Sequence, residues 1–107
     1  MVDRTEDGRL SVDELFDLLR HPRRRRALRC LVRSDERVTV DELAGHLDEE
    51  TSESRRLVAA SLRHKHLPKL DDGGVVEYPP GTGGLRYDPE PVLEEWLQRA
   101  APLEREE

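Results

Sequence analysis

Cysteine, lysine and aromatic residues are scarce in this chain. Among its 107 residues Cys30 is the one cysteine, so no internal disulfide can form and a reducing cytoplasm suits the protein. Aromatic residues make up 4%, and with the short length this limits the hydrophobic core to a modest size. No apolar run approaches the length of a signal-peptide core or a membrane span. We therefore expect one small cytoplasmic domain that does not enter a membrane.

Catalytic and metal-binding patterns are also missing. We find no Ser/His/Asp set, phosphate-binding loop or carboxylate pair at catalytic spacing, and a core this small leaves little room for a substrate pocket. His64 and His66 are two residues apart, so on a helix they point about 200° apart and cannot easily share an ion with His46 or Cys30. Cys30 has the helical phase of a small buried apolar residue. The sequence predicts no enzyme, no cofactor and no metal site.

Charge is abundant, and its sign is uneven along the chain. Twenty-four acidic residues face 16 arginines and 2 lysines, for a formal net charge of −6. An acidic, arginine-rich surface is typical of proteins kept soluble in concentrated salt, and a GC-rich genome gives the same arginine bias through codon usage. From Ser52 to Leu70, in contrast, Glu53 faces five cations: Arg55, Arg56, Arg63, Lys65 and Lys69. This local reversal favours a helix that faces nucleic acid over a solvated polar face.

Two helices are predicted after a flexible tail over residues 1–9. Ser11 and Glu14 form a capping box for the first helix. Pro22 ends that helix and opens the second, which runs to about Val32. The arginine run, residues 23–26, lies in this second helix. Two roles remain open for it: one or two of these side chains contact phosphate, or they pair at the surface with the acidic excess.

A helix-turn-helix is predicted next. Residues 38–40 are a short strand candidate, and Asp41 is expected to cap a helix that ends near Leu47. A polar linker over residues 48–51 leads to the basic helix, residues 52–70, with Thr51 or Ser52 as its N-cap. Two helices joined by a short polar linker, the second basic, form a helix-turn-helix.

The basic helix should end in a β-hairpin. Pro68 predicts a kink, or a break with a last turn through Leu70, because its ring clashes with the carbonyl four residues back. Gly73 and Gly74 then stop the helix. Strand formers follow at 75–78 and 85–87, around a Gly/Pro loop. A hairpin directly after a recognition helix is typical of a wing.

The last helix is expected over residues 90–101, before an acidic tail over 102–107. Its apolar face must cover the domain's own core or a second subunit. We favour dimerisation, jointly with the first helix. The expected interface residues are Leu15, Leu19, Val92, Leu93, Trp96 and Leu97.

Three stretches carry a family resemblance. The residues PRRRRAL from Pro22 resemble the second-helix signature of ArsR-like and MarR-like regulators, and HLPKLDDGGVV from His66 is similar to their passage from helix to wing. With Leu15 and Phe16 added, these stretches resemble a largely uncharacterised winged-helix family abundant in halophilic archaea, over about residues 10–87. The resemblance implies an α+β, mainly α, winged helix-turn-helix: a three-helix core, a β-hairpin wing, and flanking N- and C-terminal helices.

The function implied is a dimeric transcriptional regulator that binds double-stranded DNA. Major-groove contacts are then expected from Arg56, Ala60, Arg63 and His64, and phosphate contacts from Arg55, Lys65 and Arg86. Ser54, Ala59, Ala60 and Ser61 give the same helix a small-residue face that suits close approach. Two departures from the regulators are the proline at 68 and a wing tip, residues 79–84, without a basic side chain.

A second hypothesis is a winged helix that binds a protein partner through the Trp96 helix and no DNA. The negative net charge and the uncharged wing tip favour it. Binding to DNA fragments at low salt discriminates between the two.

Overall fold

The computed structural model describes residues 10–47, 52–78 and 84–105. In chain order the elements are α1 (Val12–Leu19), α2 (Pro22–Val32), β1 (Val38–Thr39), α3 (Val40–Leu47), α4 (Ser52–Ser61), a π-helical turn (Leu62–His66), α5 (Leu67–Asp72), β2 (Val76–Glu77), β3 (Gly84–Tyr87) and α6 (Pro91–Arg105). They form a mainly helical α+β fold with a small antiparallel sheet, as predicted. The expected tail over 1–9, the linker over 48–51 and the hairpin tip over 79–83 lie outside the described residues.

The first helix begins as predicted. The Ser11 hydroxyl oxygen accepts a hydrogen bond from the Glu14 N–H at 3.1 Å, and the Glu14 carboxylate accepts one from the Ser11 N–H at 3.1 Å. This capping box satisfies two backbone donors that the helix itself cannot pair. Leu15 and Leu18 point into the core, whereas Val12 and Phe16 remain exposed.

The arginine run of α2 holds the carboxyl ends of two neighbouring helices. Arg24 is 3% exposed, and its guanidinium donates to the carbonyls of Leu18 at 3.0 Å and Asp17 at 2.7 Å, in the last turn of α1. Arg26 donates to the carbonyl of Leu47, the last residue of α3, at 2.7 Å. The last carbonyls of a helix have no partner within it and carry partial negative charge, so a nearby cation stabilises them.

Arg25 and Arg29 fasten the last helix to α2. Arg25 donates to the Leu19 carbonyl and, at 2.6 Å, to one carboxylate oxygen of Glu104. Arg29 pairs with the other oxygen of Glu104 and donates to the Leu97 carbonyl at 3.0 Å. Burial opposes the charge on Glu104, but the hydrogen bonds from the two arginines outweigh it and hold the pKa of this carboxyl below its ordinary value.

The last helix is longer than predicted. We expected it to end at residue 101 and an acidic tail to follow, but α6 continues through Pro102 to Arg105. A proline inside a helix removes the hydrogen bond to the carbonyl four residues back, here that of Gln98. Glu104, two residues after Pro102, forms ion pairs with α2 that offset this cost. Residues 106 and 107 lie outside the described residues.

The cap of α3 differs from the predicted one. The Thr39 hydroxyl accepts a hydrogen bond from the Glu42 N–H at 3.0 Å, and the Glu42 carboxylate accepts one from the Thr39 N–H at 2.9 Å. Thr39 and Glu42 thus form a second capping box, and the prediction that Asp41 caps this helix is wrong. Val40 belongs to the helix instead of the strand because the cap lies one residue before it.

The basic helix continues past its proline without a break. Between α4 and α5 the chain makes a π-helical turn, in which the Leu67 N–H bonds to the Leu62 carbonyl five residues back. Pro68 then occupies the first turn of α5, where a missing N–H costs little. The predicted last turn extends two residues further, to Asp72. A wide turn ahead of the proline is how the chain accommodates it, so the whole segment 52–72 stays helical.

Glycine ends this segment as predicted. Gly74 has a φ of 80°, in the left-handed region that other residues avoid. Its N–H bonds to the Asp71 carbonyl at 2.9 Å, and the Val75 N–H bonds to the Leu70 carbonyl at 3.2 Å. This pair of bonds is a Schellman motif, which satisfies carbonyls at the helix end and turns the chain into β2.

The three strands pair in the order β1-β3-β2, with all neighbours antiparallel. Val76 pairs with Tyr87 in the hairpin, and Val38 pairs with Leu85 on the other side of β3. The core lies between this sheet and the helices, and its fully buried leucines are Leu28, Leu31, Leu43, Leu62, Leu67, Leu70, Leu85 and Leu93. None of the described helices combines the length and apolar content needed to cross a bilayer.

Replacing Arg24 with alanine should destabilise the domain by about 3 kcal/mol, because two helix-end carbonyls lose a charged donor and the buried side chain leaves a void. Urea unfolding followed by circular dichroism measures the effect. Arg23→Ala is the matched control, since Arg23 is half-buried and makes no hydrogen bond or ion pair among the described residues. A change below about 0.5 kcal/mol is expected for it. Equal losses in the two variants would contradict a capping role for Arg24.

Candidate nucleic-acid interface

The helical segment 52–72 has a buried side and an exposed side. The apolar residues that pack into the core are Val58, Ala59, Leu62, Leu67 and Leu70. Six of the predicted DNA-binding residues are exposed on this segment: Arg55, Arg56, Ala60, Arg63, His64 and Lys65. Ser54 is half-buried and hydrogen-bonded or otherwise engaged, and Ala59, expected on the small-residue face, is buried. We call the six exposed residues the basic face.

Most cations of the basic face have no partner among the described residues. Arg55, Arg56 and Lys65 make no hydrogen bond or ion pair with any of the described residues. The stem of Arg55 runs along α3, where its Nε lies 3.8 Å from the position that a side chain on Gly45 would occupy. A Cβ added at Gly45 would be in ordinary van der Waals contact with the arginine, so this approach does not require glycine. Arg55, Arg56 and Lys65 are all exposed, so an anionic partner can reach them.

Arg63 has an acidic neighbour. Its guanidinium contacts the Asp41 carboxylate of α3 at 3.2 Å, and the two side chains are 45% and 80% exposed. An ion pair this exposed contributes about 0–1 kcal/mol, since water and salt screen it. Arg63 can therefore leave Asp41 for a phosphate or a base at little cost. Asp41 was predicted to cap α3, and only the packing of α3 against α4 and the π-helical turn brings it to this arginine.

Arg86 is more firmly engaged than predicted. It donates to one oxygen of Glu77 across the hairpin at 2.7 Å, while Arg37 approaches the other oxygen at 3.4 Å. The hydrogen bond from Arg86 holds the pKa of Glu77 below its usual range, and Glu77 raises the pKa of Arg86. The cluster keeps one net positive charge at the base of the hairpin. Arg37 was missed because the sequence does not show that β1 pairs with β3.

The π-helical turn places one histidine inward and one outward. His66 is 2% exposed, and its Nδ1 has no hydrogen-bond partner, whereas His64 is exposed. The His66 ring packs edge-on against His21, with 5.2 Å between the ring centres. Burial lowers the pKa of His66 to about 4, and the nearby charge of Arg24 adds to the effect. His66 is therefore a neutral core residue at pH 7. Within the described ranges, no three potential metal ligands come together.

The predicted dimer residues fall into two groups. Leu15, Leu93 and Leu97 are 6%, 0% and 4% exposed in the domain's own core, so they have no surface to offer a second subunit. These leucines lie where α1 and α6 pack against α2. Leu19 is half-buried. Val92 and Trp96 remain exposed, and the prediction missed the exposed pair beside them on α1, Val12 and Phe16.

Aromatic contact joins the exposed apolar residues of α1 and α6 into one surface. The rings of Phe16 and Trp96 are 5.6 Å apart and nearly perpendicular, the edge-to-face arrangement that aromatic pairs favour. Phe16 is 49% exposed and Trp96 is 40% exposed. We call Val12, Phe16, Val92 and Trp96 the Phe16–Trp96 surface. The spacing of four residues within each helix could have indicated both halves of it from the sequence.

Comparison with known proteins identifies a family. Residues 16–86 match the family described as Domain of unknown function (DUF7344), which is more than half of the chain. The chain belongs to the DUF7344 family. In this DUF7344 protein the matched range runs from α1 through β3, so it contains the basic face and the hairpin strands but not α6. No curated protein and no solved structure matches the chain.

The buried histidine makes stability depend on pH. Because the pKa of His66 is about 4 in the folded DUF7344 domain and 6.5 in an unfolded chain, the unfolded state binds more protons between these values. Stability is then lost as pH falls through that window, by an amount on the order of 3 kcal/mol. Urea unfolding at several pH values should show this loss for the wild type and not for His66→Leu. His64→Leu, on the exposed side of the same turn, should keep the wild-type profile; a wild-type profile in His66→Leu would exclude His66 as its source.

Proposed function

We propose that the protein is a DNA-binding transcriptional regulator of the winged helix-turn-helix type. The observation that carries the proposal is the basic face: a helical segment whose exposed arginine and lysine side chains mostly lack an acidic partner among the described residues, in a protein of net charge −6. A local excess of positive charge on one helical segment of an acidic protein supports contact with a polyanion.

The order of the elements supports a winged helix. Three helices, α2, α3 and α4, precede a hairpin, and β1 adds a third strand to that hairpin. The recognition helix in this interpretation is the segment from α4 through α5. Its Schellman stop at Gly74 leads straight into the first wing strand, so helix and hairpin have a fixed relative position.

Arginine and small side chains on this segment suit direct base reading. Arg56 and Arg63 can each donate a pair of hydrogen bonds to O6 and N7 of guanine, and Ala60 between them permits close approach to a base edge. Arg55 and Lys65 are placed to contact the flanking phosphates. Arg86 is a weaker candidate, since a phosphate would compete with Glu77 for its guanidinium.

The salt concentration determines how much phosphate contacts and base contacts each contribute to the binding free energy. With about six phosphate contacts, a twentyfold rise in salt removes on the order of seven decades of affinity through counterion release. If the acidic, lysine-poor composition reflects a salt-rich cytoplasm, phosphate contacts alone cannot hold the complex. Base-edge hydrogen bonds from Arg56 and Arg63, and close apolar fit, must then supply most of the binding.

We also propose that the protein acts as a homodimer through the Phe16–Trp96 surface. A second copy is the occupant that regulation requires, because two recognition helices about 34 Å apart read a palindromic site much more tightly than one. The surface is apolar and lies on α1 and α6, which contribute no residue to the basic face. Dimerisation there leaves the basic face uncovered.

A protein-interaction module without DNA binding is the second candidate function. The exposed Phe16–Trp96 surface favours it, since large exposed aromatic residues are typical of protein interfaces. The net charge of −6 and the engagement of Arg86 by Glu77 point the same way.

DNA binding can be tested by fluorescence anisotropy with mixed genomic fragments at several potassium chloride concentrations. The double variant Arg56→Ala/Arg63→Ala should lower affinity by about 100-fold or more, because two base-reading side chains are lost. Asp41→Asn should raise affinity severalfold, because it frees Arg63 and removes a negative charge beside the basic face. Arg55→Ala should reduce the slope of log affinity against log salt by about 1.

Arginines outside both surfaces provide the controls. Arg20 is the C-cap of α1 and Arg23 lies in the first turn of α2, and neither belongs to the basic face or to the Phe16–Trp96 surface. Arg20→Ala/Arg23→Ala removes the same charge as the double variant of the basic face and should bind DNA like the wild type. Equal losses in the two double variants would mean that binding follows net charge alone. An absence of binding even at low salt would leave the interaction module as the function.

The dimer is tested by sedimentation velocity over a range of concentrations. Phe16→Lys should raise the dimer dissociation constant by about 100-fold or more, because an unpaired charge would be buried in the interface. Leu57→Lys is the matched control, since Leu57 is 67% exposed on α4 and lies outside the Phe16–Trp96 surface. A wild-type monomer at every concentration would rule out the dimer without touching the DNA-binding proposal.

A further inference from the structure

A groove between α2 and the end of α3 gathers positive charge away from the basic face. It has a volume of about 400 Å³ and is lined by three arginines of α2, Arg26, Arg29 and Arg33, with His46 from α3. The arginines are three and four residues apart, so helical spacing puts them on one side of α2. Cys30 and Leu47 supply an apolar floor. None of the described lining residues is acidic.

Two of the three arginines have no acidic partner in the part of the chain that the structure describes. Arg26 donates one hydrogen bond to the Leu47 carbonyl, and the Arg33 side chain makes no hydrogen bond or ion pair among the described residues. Arg29 is shared with Glu104, which lies on the α6 side and does not line the groove. Among the described residues, the groove therefore carries more than one positive charge without an acidic partner, in a protein of net charge −6.

We propose that this groove binds the phosphate group of a small phosphomonoester. A guanidinium donates from a planar fork that matches the oxygens of a phosphate, and a dianion with three terminal oxygens can accept from several arginines at once. A carboxylate carries one charge and would leave the second arginine unpaired. The volume suits a metabolite-sized ligand, and the apolar floor can contact its carbon skeleton.

The groove and Arg63 of the basic face lie at opposite ends of α3. Asp41, the neighbour of Arg63, belongs to the first turn of α3, whereas His46 and Leu47 are its last two residues. Arg55 of the basic face lies nearer to the groove, beside Gly45. No described residue belongs to both sites, so variants of each site distinguish a ligand in the groove from DNA on the basic face.

The test is a titration of the full chain with inorganic phosphate and with glycerol 3-phosphate, at ionic strength held constant with potassium chloride. Backbone amide NMR shifts should move saturably with the ester in residues 26–34 and 46–47. Cys30 lies in the groove as the single thiol of the protein, so its alkylation by iodoacetamide should slow as the ester binds. Arg33→Gln should weaken ester binding by about tenfold or more, since it removes a charged donor.

Arg56→Gln is the matched control, because Arg56 is also exposed and unpaired among the described residues but belongs to the basic face. It should leave ester binding unchanged. The proposal is overturned by the absence of saturable shifts with the ester, by equal weakening in the two variants, or by binding of inorganic phosphate alone. If Arg33→Gln instead lowers DNA affinity while the ester does not bind, the groove belongs to a nucleic-acid surface and the phosphomonoester site is excluded.

Discussion

The buried guanidinium of Arg24, bonded to the last carbonyls of α1, fixes the helical body on which the other features depend. It joins α1 to α2 at the point where Pro22 separates them, and its neighbours Arg25 and Arg26 contact the ends of α1, α6 and α3. An arginine run that looks like a polyanion-binding segment is thereby used mostly inside the protein. Within the described residues, the basic face and the groove beside Arg33 are two of the places where positive charge is left without an acidic partner.

Burial also determines how these contacts respond to salt. Arg25 and Arg29 meet Glu104 with side chains that are about one-fifth exposed, so mobile ions screen these pairs less than those at the surface. The pairs of Arg63 with Asp41 and of Arg86 with Glu77 are far more exposed and weaken in salt. A high salt concentration therefore leaves the helix-end contacts in place but weakens the pair of Arg63 with Asp41, which releases Arg63 for other partners.

The π-helical turn connects the fold to the basic face. By widening the helix just before Pro68, it lets the segment continue to Asp72. It also turns His66 into the core beside His21, while His64 and Lys65 stay outside. Pro68, which predicted a kink or a break, thus interrupts neither the buried side nor the cationic side of this helical segment.

Local signals in the sequence were enough for the elements and their order. The capping box of Ser11, the start of α2 at Pro22 and the stop at Gly74 involve residues within a few positions of each other, and the hairpin strands followed from β-branched residues after that stop. The exposure of the basic face followed from helical periodicity. Each of these features depends on backbone geometry that neighbouring residues impose.

Only the tertiary structure decided which partners the charged and apolar side chains take. The contacts of Arg25 with Glu104 and of Arg63 with Asp41 join residues far apart in the chain. Leu93 and Leu97, which were expected at a dimer interface, are likewise buried by residues far from them in the chain. The cap of α3 is different: Thr39 and Glu42 have the same spacing as Ser11 and Glu14, so the local signal was present in the sequence and was missed. Helical spacing shows that a leucine or an arginine lies on a given side of a helix, but what covers that side is set by the packing of the other elements.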